Sequence, residues 1–397
     1  MLPHDATAPE NETATAARLM AEFAARTGLT PAAPHPRRYL WTDAFAVLNF
    51  LELHARSGDE SNRRSAIELI DQVHQVLGRY RSDDLRGGWI SGLDEEAGRQ
   101  HPTAGGLRIG KPLSERDADE AMDERLESDR DGQYFHYLTK WIHALCQAGF
   151  ATRDPIYARY AVELAEAAFQ GFLRRSGSGD VIGLSWKMST DLSRPLVQAM
   201  GMHDALDGFI TFREAQHAVG ALAGAAASDL DPAITTLFSL CRDRDWTTDD
   251  PLGLGGLLFD ACRLARLFDE ERFGDVQVLT SLLNACGLGL MGFLSNRSME
   301  FPAAYRLAFR ELGLAIGLKG LPILIDFTRE TGPALQQVLD QLLTYESLGG
   351  EIVGAWLAEA GDHESWQSHQ DINDVMLATA LIPDMFLSVG ERTPLPS

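Results

Sequence analysis

The chain has 397 residues, 45% of them hydrophobic, with 35 Lys and Arg against 57 Asp and Glu and a formal net charge of -22. That length can bury a substantial core and exceeds the usual size of one compact domain, so one large domain or two ordinary ones are both open. A field of this sign repels phosphate backbones and anionic lipid, which argues against nucleic acid and membrane surfaces as partners.

The N-terminal MLPHDATAPENETATAARLM lacks the basic start and continuous apolar run of a signal peptide, and residues 1–12 read as a flexible tail. The four cysteines, Cys146, Cys241, Cys262 and Cys286, are far apart and form no CxxC pair, so they read as buried free thiols in a reducing compartment. No apolar stretch runs uninterrupted for the ~18–20 residues that a bilayer span needs. The expected location is cytoplasmic.

Helical periodicity then covers nearly the whole chain. TDAFAVLNFLEL (42–53) is followed by the more amphipathic SNRRSAIELIDQVHQVLGRY (61–80). Residues 81–128, rich in Gly and charge, read as a long non-helical loop of the kind that forms lids or binding loops. Next comes DRDGQYFHYLTKWIHAL (129–145), with Tyr134, Tyr137, Leu138, Trp141, Ile142 and Leu145 on one apolar face of a 3.6-residue period. Its opposite face carries His136, Lys140, His143 and Gln147.

The alternation continues through PIYARYAVELAEAAFQGFLRR (155–175), a short strand-like DVIGLSW (180–186) and HDALDGFITFREAQ (203–216). Further on, 249–267, 306–321 and 369–387 are dense apolar segments, with one-sided helices such as 231–243 and 332–346 between them. A helix apolar nearly all round must be buried, and one apolar on a single side must cover it while facing water. Six inner and about six outer helices joined as hairpins predict an all-α, (α/α)6 toroid in one domain over 13–397. An open, TPR-like superhelical stack is the alternative.

Such a chain, with Trp and acidic residues at the starts of inner helices (TDAF after YLW, DRDGQYF, HDALDGF), resembles the six-hairpin glycosidase-like superfamily. That group holds glycoside hydrolases, some polysaccharide lyases and N-acylglucosamine 2-epimerases, so the resemblance implies a small carbohydrate substrate; separately, no cofactor and no resident metal are expected. The resemblance also implies a funnel at one mouth of the toroid. Carried onto this sequence, the funnel would use Tyr39, Trp41, Asp43, Trp89, Asp129, Asp131, Gln133 and Tyr134. Trp186, Lys187, His203, Asp204, Asp207, Asp249, Asp250, His369, Asp371 and Asp374 complete the candidates.

Glycoside hydrolysis needs two carboxyl groups, ~5 Å apart for retention or ~6.5–9.5 Å for inversion. Asp131, Asp204 and Asp43 are the candidate catalytic carboxylates, each equally readable as a helix N-cap. HDALD and HQDIND place His203 and His369 before aspartates at helical spacing, and two such histidines would suit a sugar 2-epimerase or isomerase. The same residues could hold a divalent ion for diphosphate chemistry, although DxxD spacing is common in helices. In RIGKPLSER, Arg108, Lys111 and Arg116 offer local positive charge for a carboxylate, sulfate or phosphate. Gly105, Gly106 and Gly110 do not form a nucleotide-binding GxGxxG fingerprint, and GxSxG and HExxH are absent. The leading expectation is a glycoside hydrolase working through paired carboxylates, ahead of the epimerase and of a non-catalytic helical binding protein. The oligomeric state is open.

Overall fold

The structure, a computed structural model, describes residues 8–224, 229–242, 244–268, 274–331, 333–359 and 363–392. Its helices begin with α1 (Ala8–Thr27), α2 (Leu40–Ser57), α3 (Glu60–Leu77), α4 (Glu95–Gln100), α5 (Glu124–Glu127), α6 (Phe135–Thr152) and α7 (Pro155–Phe172). They continue with α8 (Asp204–Ala223), α9 (Asp231–Cys241), α10 (Pro251–Arg266), α11 (Asp275–Ser295), α12 (Ala308–Leu318) and α13 (Leu321–Thr331). The last are α14 (Pro333–Leu343), α15 (Glu346–Glu359), α16 (Glu364–Gln367), α17 (Gln370–Leu381) and α18 (Asp384–Leu387). Five short strands, β1 (Gln133–Tyr134), β2 (Leu173–Arg175), β3 (Val181–Leu184), β4 (Lys187–Met188) and β5 (Pro195–Val197), make two small antiparallel sheets in the orders β1-β4-β5 and β2-β3.

The all-α class expected from the periodicity is what the structure has. All six segments read as inner helices are helical and are buried round most of their circumference, as α6, α8 and α17 show most fully. The helices between them bury one side only. In α3 the buried positions are Ala66, Leu69, Ile70, Val73, His74 and Leu77, the spacing of a single stripe. Caps mark several of the joints: Asp154 accepts from the Ile156 N–H ahead of Pro155 at the start of α7, and Asp250 does the same for Gly253 ahead of Pro251 in α10.

The chain divides into two compact units. One, central in sequence, comprises Thr27–Val47 and Arg64–Arg242. In it α6 and α8 pack as inner helices with α7 and α9 outside them, around Phe135, Phe172 and Phe212. The flanking unit comprises Met1–Arg26, Leu48–Arg63 and Asp243–Ser397, with α10, α12 and α17 as its inner row and Phe259 stacked on Phe386 at 4.2 Å. The sequence reading had one domain over 13–397.

Two expectations of detail need adjusting. Residues 8–12, read as tail, begin α1, and 1–7 lie outside the described residues. The stretch 81–128 is not wholly non-helical, because Asp94 and Asp123 cap the short helices α4 and α5. All four cysteines are free and buried, as expected. The window Asp275–Glu300 has the length and hydropathy, 1.6, of a membrane span, yet Leu279, Leu282, Leu283, Cys286, Leu290 and Phe293 of α11 are buried inside the flanking unit.

The closest helix approach argued by composition is α10 against α12. A Cβ at Gly255 would fall on the carbonyl oxygen of Gly313, and one at Gly317 would sit 2.7 Å from the carbonyl oxygen of Gly255. These glycines let two backbones touch. Gly255→Ala is expected to destabilise the protein by about 1–3 kcal/mol through overpacking. Gly256→Ala, where the new methyl meets open space, should instead be neutral or stabilising by up to about 1 kcal/mol. Urea unfolding midpoints of the two variants check the pair, and equal midpoints would remove the close-contact argument.

Candidate active site

The central unit gathers its aromatic and ionisable side chains where β1 runs into α6. β1 pairs with β4 so that Tyr134 lies opposite Lys187, which brings Trp186 onto Tyr134 with ring centroids 4.9 Å apart. Helix α6 begins one residue later and places His136 and Tyr137 in its first turn. His136 stacks on Tyr134 at 5.3 Å and on Trp186 at 5.9 Å, the latter with planes only 14° apart. Trp41, from the start of α2, lies 5.4 Å from Tyr137 and 6.2 Å from His136. The hydroxyls of Tyr39 and Tyr137 share a hydrogen bond of 2.5 Å. Six rings from three chain segments thus form one continuous cluster, called the basin below, in which Trp41 and Tyr134 are buried while Trp186 is 37% exposed and the His136 side chain 26% exposed.

Beneath the rings, one face of α6 meets one face of α8 through polar groups. His136, Lys140, His143 and Gln147 are matched by Asp204, Asp207, Thr211 and Glu214. Lys140 Nζ donates to Asp207 at 2.8 Å, and the hydroxyls of Thr139 and Thr211 donate to the same carboxylate at 2.5 and 3.2 Å. Deeper in, His143 Nδ1 and Gln147 Nε2 both engage Glu214, at 2.7 and 2.9 Å. At the basin end the pairing is looser. His136 Nδ1 has no hydrogen-bond partner among the described residues, and the Oδ1 of Asp204 is 3.9 Å from it.

The environment sets both groups. Burial, with the positive charge of Lys140 second, lowers His136 to about 4, so its imidazole is neutral at pH 7. Burial raises Asp204 to about 7 even though the Gly201 N–H donates to its Oδ2 at 2.9 Å, and Asp207 raises it further. An imidazole held neutral by burial thus lies 3.9 Å from a carboxyl group whose burial favours the protonated form.

Several sequence candidates occupy other roles. Asp131, first choice for catalysis, is fully buried and committed: Arg108 Nη1 donates to its Oδ2, Gly110 N donates to its Oδ1 at 3.0 Å, and Arg81 lies 3.9 Å away. Asp43 accepts from the Tyr39 N–H at 2.9 Å and pairs with Arg38 at 3.4 Å, which is capping chemistry. Gln133 uses its amide on Leu107 N, Gly105 O and Thr190 O, pinning the loop before α6. Lys187 spends all three donors on Glu127 O, Glu127 Oε1 and Arg130 O. Trp89 is buried beneath the Arg79 guanidinium.

Arg108 also donates to the Arg79 and Val76 carbonyls, so of the expected cations near the loop only Lys111 keeps a position over the basin, 5.2 Å from the Tyr39 ring centre. His203 stands just before Asp204 at the start of α8. In the flanking unit Arg26 bridges Asp371 at 3.0 Å and Asp374 at 2.6 Å, His369 lies against Phe309, Asp249 accepts from Asn296, and Asp250 pairs with Arg310. His203 and His369 thus belong to different units. Among the described residues no group of three or more His, Cys, Asp or Glu could hold a metal ion. Lys140 occupies Asp207, and Arg26 occupies Asp371 and Asp374.

Sequence reasoning missed His136, Tyr137 and Lys140 as site residues. The signal was present: four polar residues at helical spacing on one face of a helix expected to be buried all round.

No protein-family profile matches the chain. No curated protein matches it either. Solved structures give distant likenesses only. A cellobiose 2-epimerase from Spirochaeta thermophila is 13% identical, with a TM-score of 0.45 over 83% of this chain and 85% of that one. A sugar epimerase from a ruminal bacterium is 10% identical, with a TM-score of 0.41 over 77% and 74%. A cellobiose 2-epimerase from Bacillus thermoamylovorans is 8% identical, with a TM-score of 0.42 over 78% and 75%. At such values none of the three bears on which residues act here.

The commitment of Asp131 gives a test of its role. Asp131→Asn should leave Arg108 buried without its counter-charge and cost about 3–5 kcal/mol of stability. A variant with wild-type stability and no turnover would return Asp131 to the catalytic set.

Proposed function

We propose that the chain is a carbohydrate-active enzyme, and within that class an epimerase or isomerase that moves a proton on the carbon beside the carbonyl of an open-chain sugar. The observation that supports this reading is the pair formed by neutral His136 and Asp204 at the floor of the aromatic basin. Flat apolar faces such as those of Trp41, Trp186 and Tyr134 suit the C–H faces of a sugar, while the Tyr39–Tyr137 hydroxyl pair can hydrogen-bond its oxygens.

His136 is the partly exposed member and so the one that reaches substrate. Its ring accepts the proton from carbon 2 as the carbonyl oxygen gains charge; a proton added to carbon 2 of the enediolate from the opposite face gives the epimer, whereas a proton added to carbon 1, with the carbon-2 hydroxyl proton passing to the carbon-1 oxygen, gives the ketose isomer. As the ring takes that proton on one nitrogen, Asp204 can accept the proton on the other. The present 3.9 Å separation must tighten for this, as happens in many sites when substrate binds. Lys140, fixed by Asp207, disfavours a permanently charged imidazole and returns the pair to its starting state.

Hydrolysis is the second reading, favoured by the raised Asp204, which would serve as a general acid. It needs a second uncommitted carboxylate facing the same bond. In the central unit Asp43, Asp131 and Asp207 are each tied to a cation. That weighs against it.

Proton NMR in D2O with free sugars and small glycosides separates the two. Deuterium entering carbon 2 of a free sugar supports the epimerase or isomerase, and a new anomeric signal from a glycoside without such exchange would replace it with the hydrolase. For the variants, His136→Gln and Asp204→Asn should each lower the exchange rate by about 10²–10⁴-fold. In the wild type kcat/KM should rise with pH through about 7, as Asp204 ionises, and Asp204→Asn should lose that limb.

Stability carries an independent sign. A folded-state pKa of about 7 against the ordinary aspartate value of 3.8 means that the unfolded chain loses this proton first, so the penalty appears above pH 4 and is complete above pH 7. Asp204→Asn should therefore raise Tm more at pH 8 than at pH 5. An equal change at both pH values would show that Asp204 is not held protonated by burial.

A further inference from the structure

We infer that the sugar bound in this basin carries an anionic group, a carboxylate or a phosphate, that seats on Lys111. The inference rests on the basin's being the substrate site, as proposed above. It starts from the cations that the loop 81–128, α6 and β4 bring near the rings. Arg108 belongs to Asp131, Arg116 to Glu127, Lys140 to Asp207, and Lys187 to Glu127. Lys111 is different. Among the described residues no carboxylate lies within 4.0 Å of its ammonium, which instead stands over the Tyr39 ring at 5.2 Å.

That position is built, and it adjoins the reacting groups. Arg81 Nη1 donates to the Lys111 carbonyl at 2.7 Å, the Gly110 N–H is held by Asp131, and the Leu113 N–H donates to Asp129 O at 3.1 Å, so the backbone under Lys111 is fixed on both sides. Tyr39 in turn bonds Tyr137, whose ring is 5.0 Å from that of His136. One half-buried ammonium is thus linked through two tyrosines to the proposed base. Although the net charge of -22 opposes an anion at long range, an unpaired cation held against the rings is a local seat for one, because no competing protein carboxylate must be displaced. The sequence offered three cations in this loop, and the structure leaves one of them available.

The test measures binding separately from chemistry. Dissociation constants of glucose, glucuronate and glucose 6-phosphate are determined by titration calorimetry for the wild type and Lys111→Met, with Lys111→Arg as the charge-conserving control. At least one anionic sugar should bind the wild type about tenfold or more tightly than glucose. Lys111→Met should remove that preference while leaving glucose affinity within about twofold, and Lys111→Arg should keep most of it. Which anionic sugar is preferred tells carboxylate from phosphate. Raising the salt concentration on the wild type alone should erode the same preference, which keeps the inference testable if Lys111→Met does not fold.

Equal affinities for all three sugars, no binding of any of them, or an anion preference that Lys111→Met retains would each overturn it. Exchange at carbon 2 of glucose without any anion preference removes this inference and leaves the proposed reaction standing. An anion preference that depends on Lys111, with no exchange on any sugar, does the reverse.

Discussion

The seam between α6 and α8 is the constraint on which the site depends. Two inner helices that are buried nearly all round would ordinarily meet through Leu, Ile and Phe. Here they meet through Lys140, His143 and Gln147 on one side and Asp207, Thr211 and Glu214 on the other. An isolated charge in that position would cost several kcal/mol, so the row persists only because each charge has a partner and the partners have further hydrogen bonds. Asp207 shows this most clearly, with one ammonium and two hydroxyls around it. The cooperative row ends at the basin, where His136 and Asp204 are the last pair and have too few donors to be settled. What stabilises the seam below is what leaves its top end titratable.

The residues around loop 81–128 follow a related logic with a different result. Arg108 on Asp131, Lys187 on Glu127, Gln133 on three backbone groups, and Arg86 on Asp84, Glu115 and Asp191 fasten that chain to the start of α6 and to β4. A movable lid would leave such groups facing water. These are buried or half-buried and paired, so the segment forms a wall that fixes Tyr134, Trp186 and Lys111 relative to one another.

How far the sequence could be read follows from the same physics. The inner and outer helices were legible because burial on all sides and burial on one side leave different hydrophobic periods, and that distinction survived in all six inner segments. The site was less legible because an aspartate at a helix start has one sequence signature and at least three uses. Asp43 caps, Asp131 neutralises an arginine, and Asp204 is left to titrate, although each stands before a dense apolar helix. Donors that decide among them come from residues distant in sequence, Arg108 for Asp131 and Lys140 for Asp207. His136 was readable in principle, since a histidine and a lysine at i and i+4 on the polar face of an inner helix must find buried partners. The expectation for His203 and His369 followed instead from a repeated local pattern that does not imply that the two residues meet.

The polar residues of the central unit can therefore be sorted by a single criterion, the number of donors and acceptors each already satisfies. Gln133 and Lys187 have filled their hydrogen-bonding capacity, and Asp131 holds a guanidinium and a backbone N–H, so adding a ligand to any of them would first break a buried bond. The exposed side of His136, the open face of Trp186 and the ammonium of Lys111 require no such exchange. A ligand gains free energy where it adds partners and loses it where it replaces them. The groups left incomplete all touch the same cluster of rings, and this shared position, more than the identity of any one residue, distinguishes a binding site from a well-satisfied core.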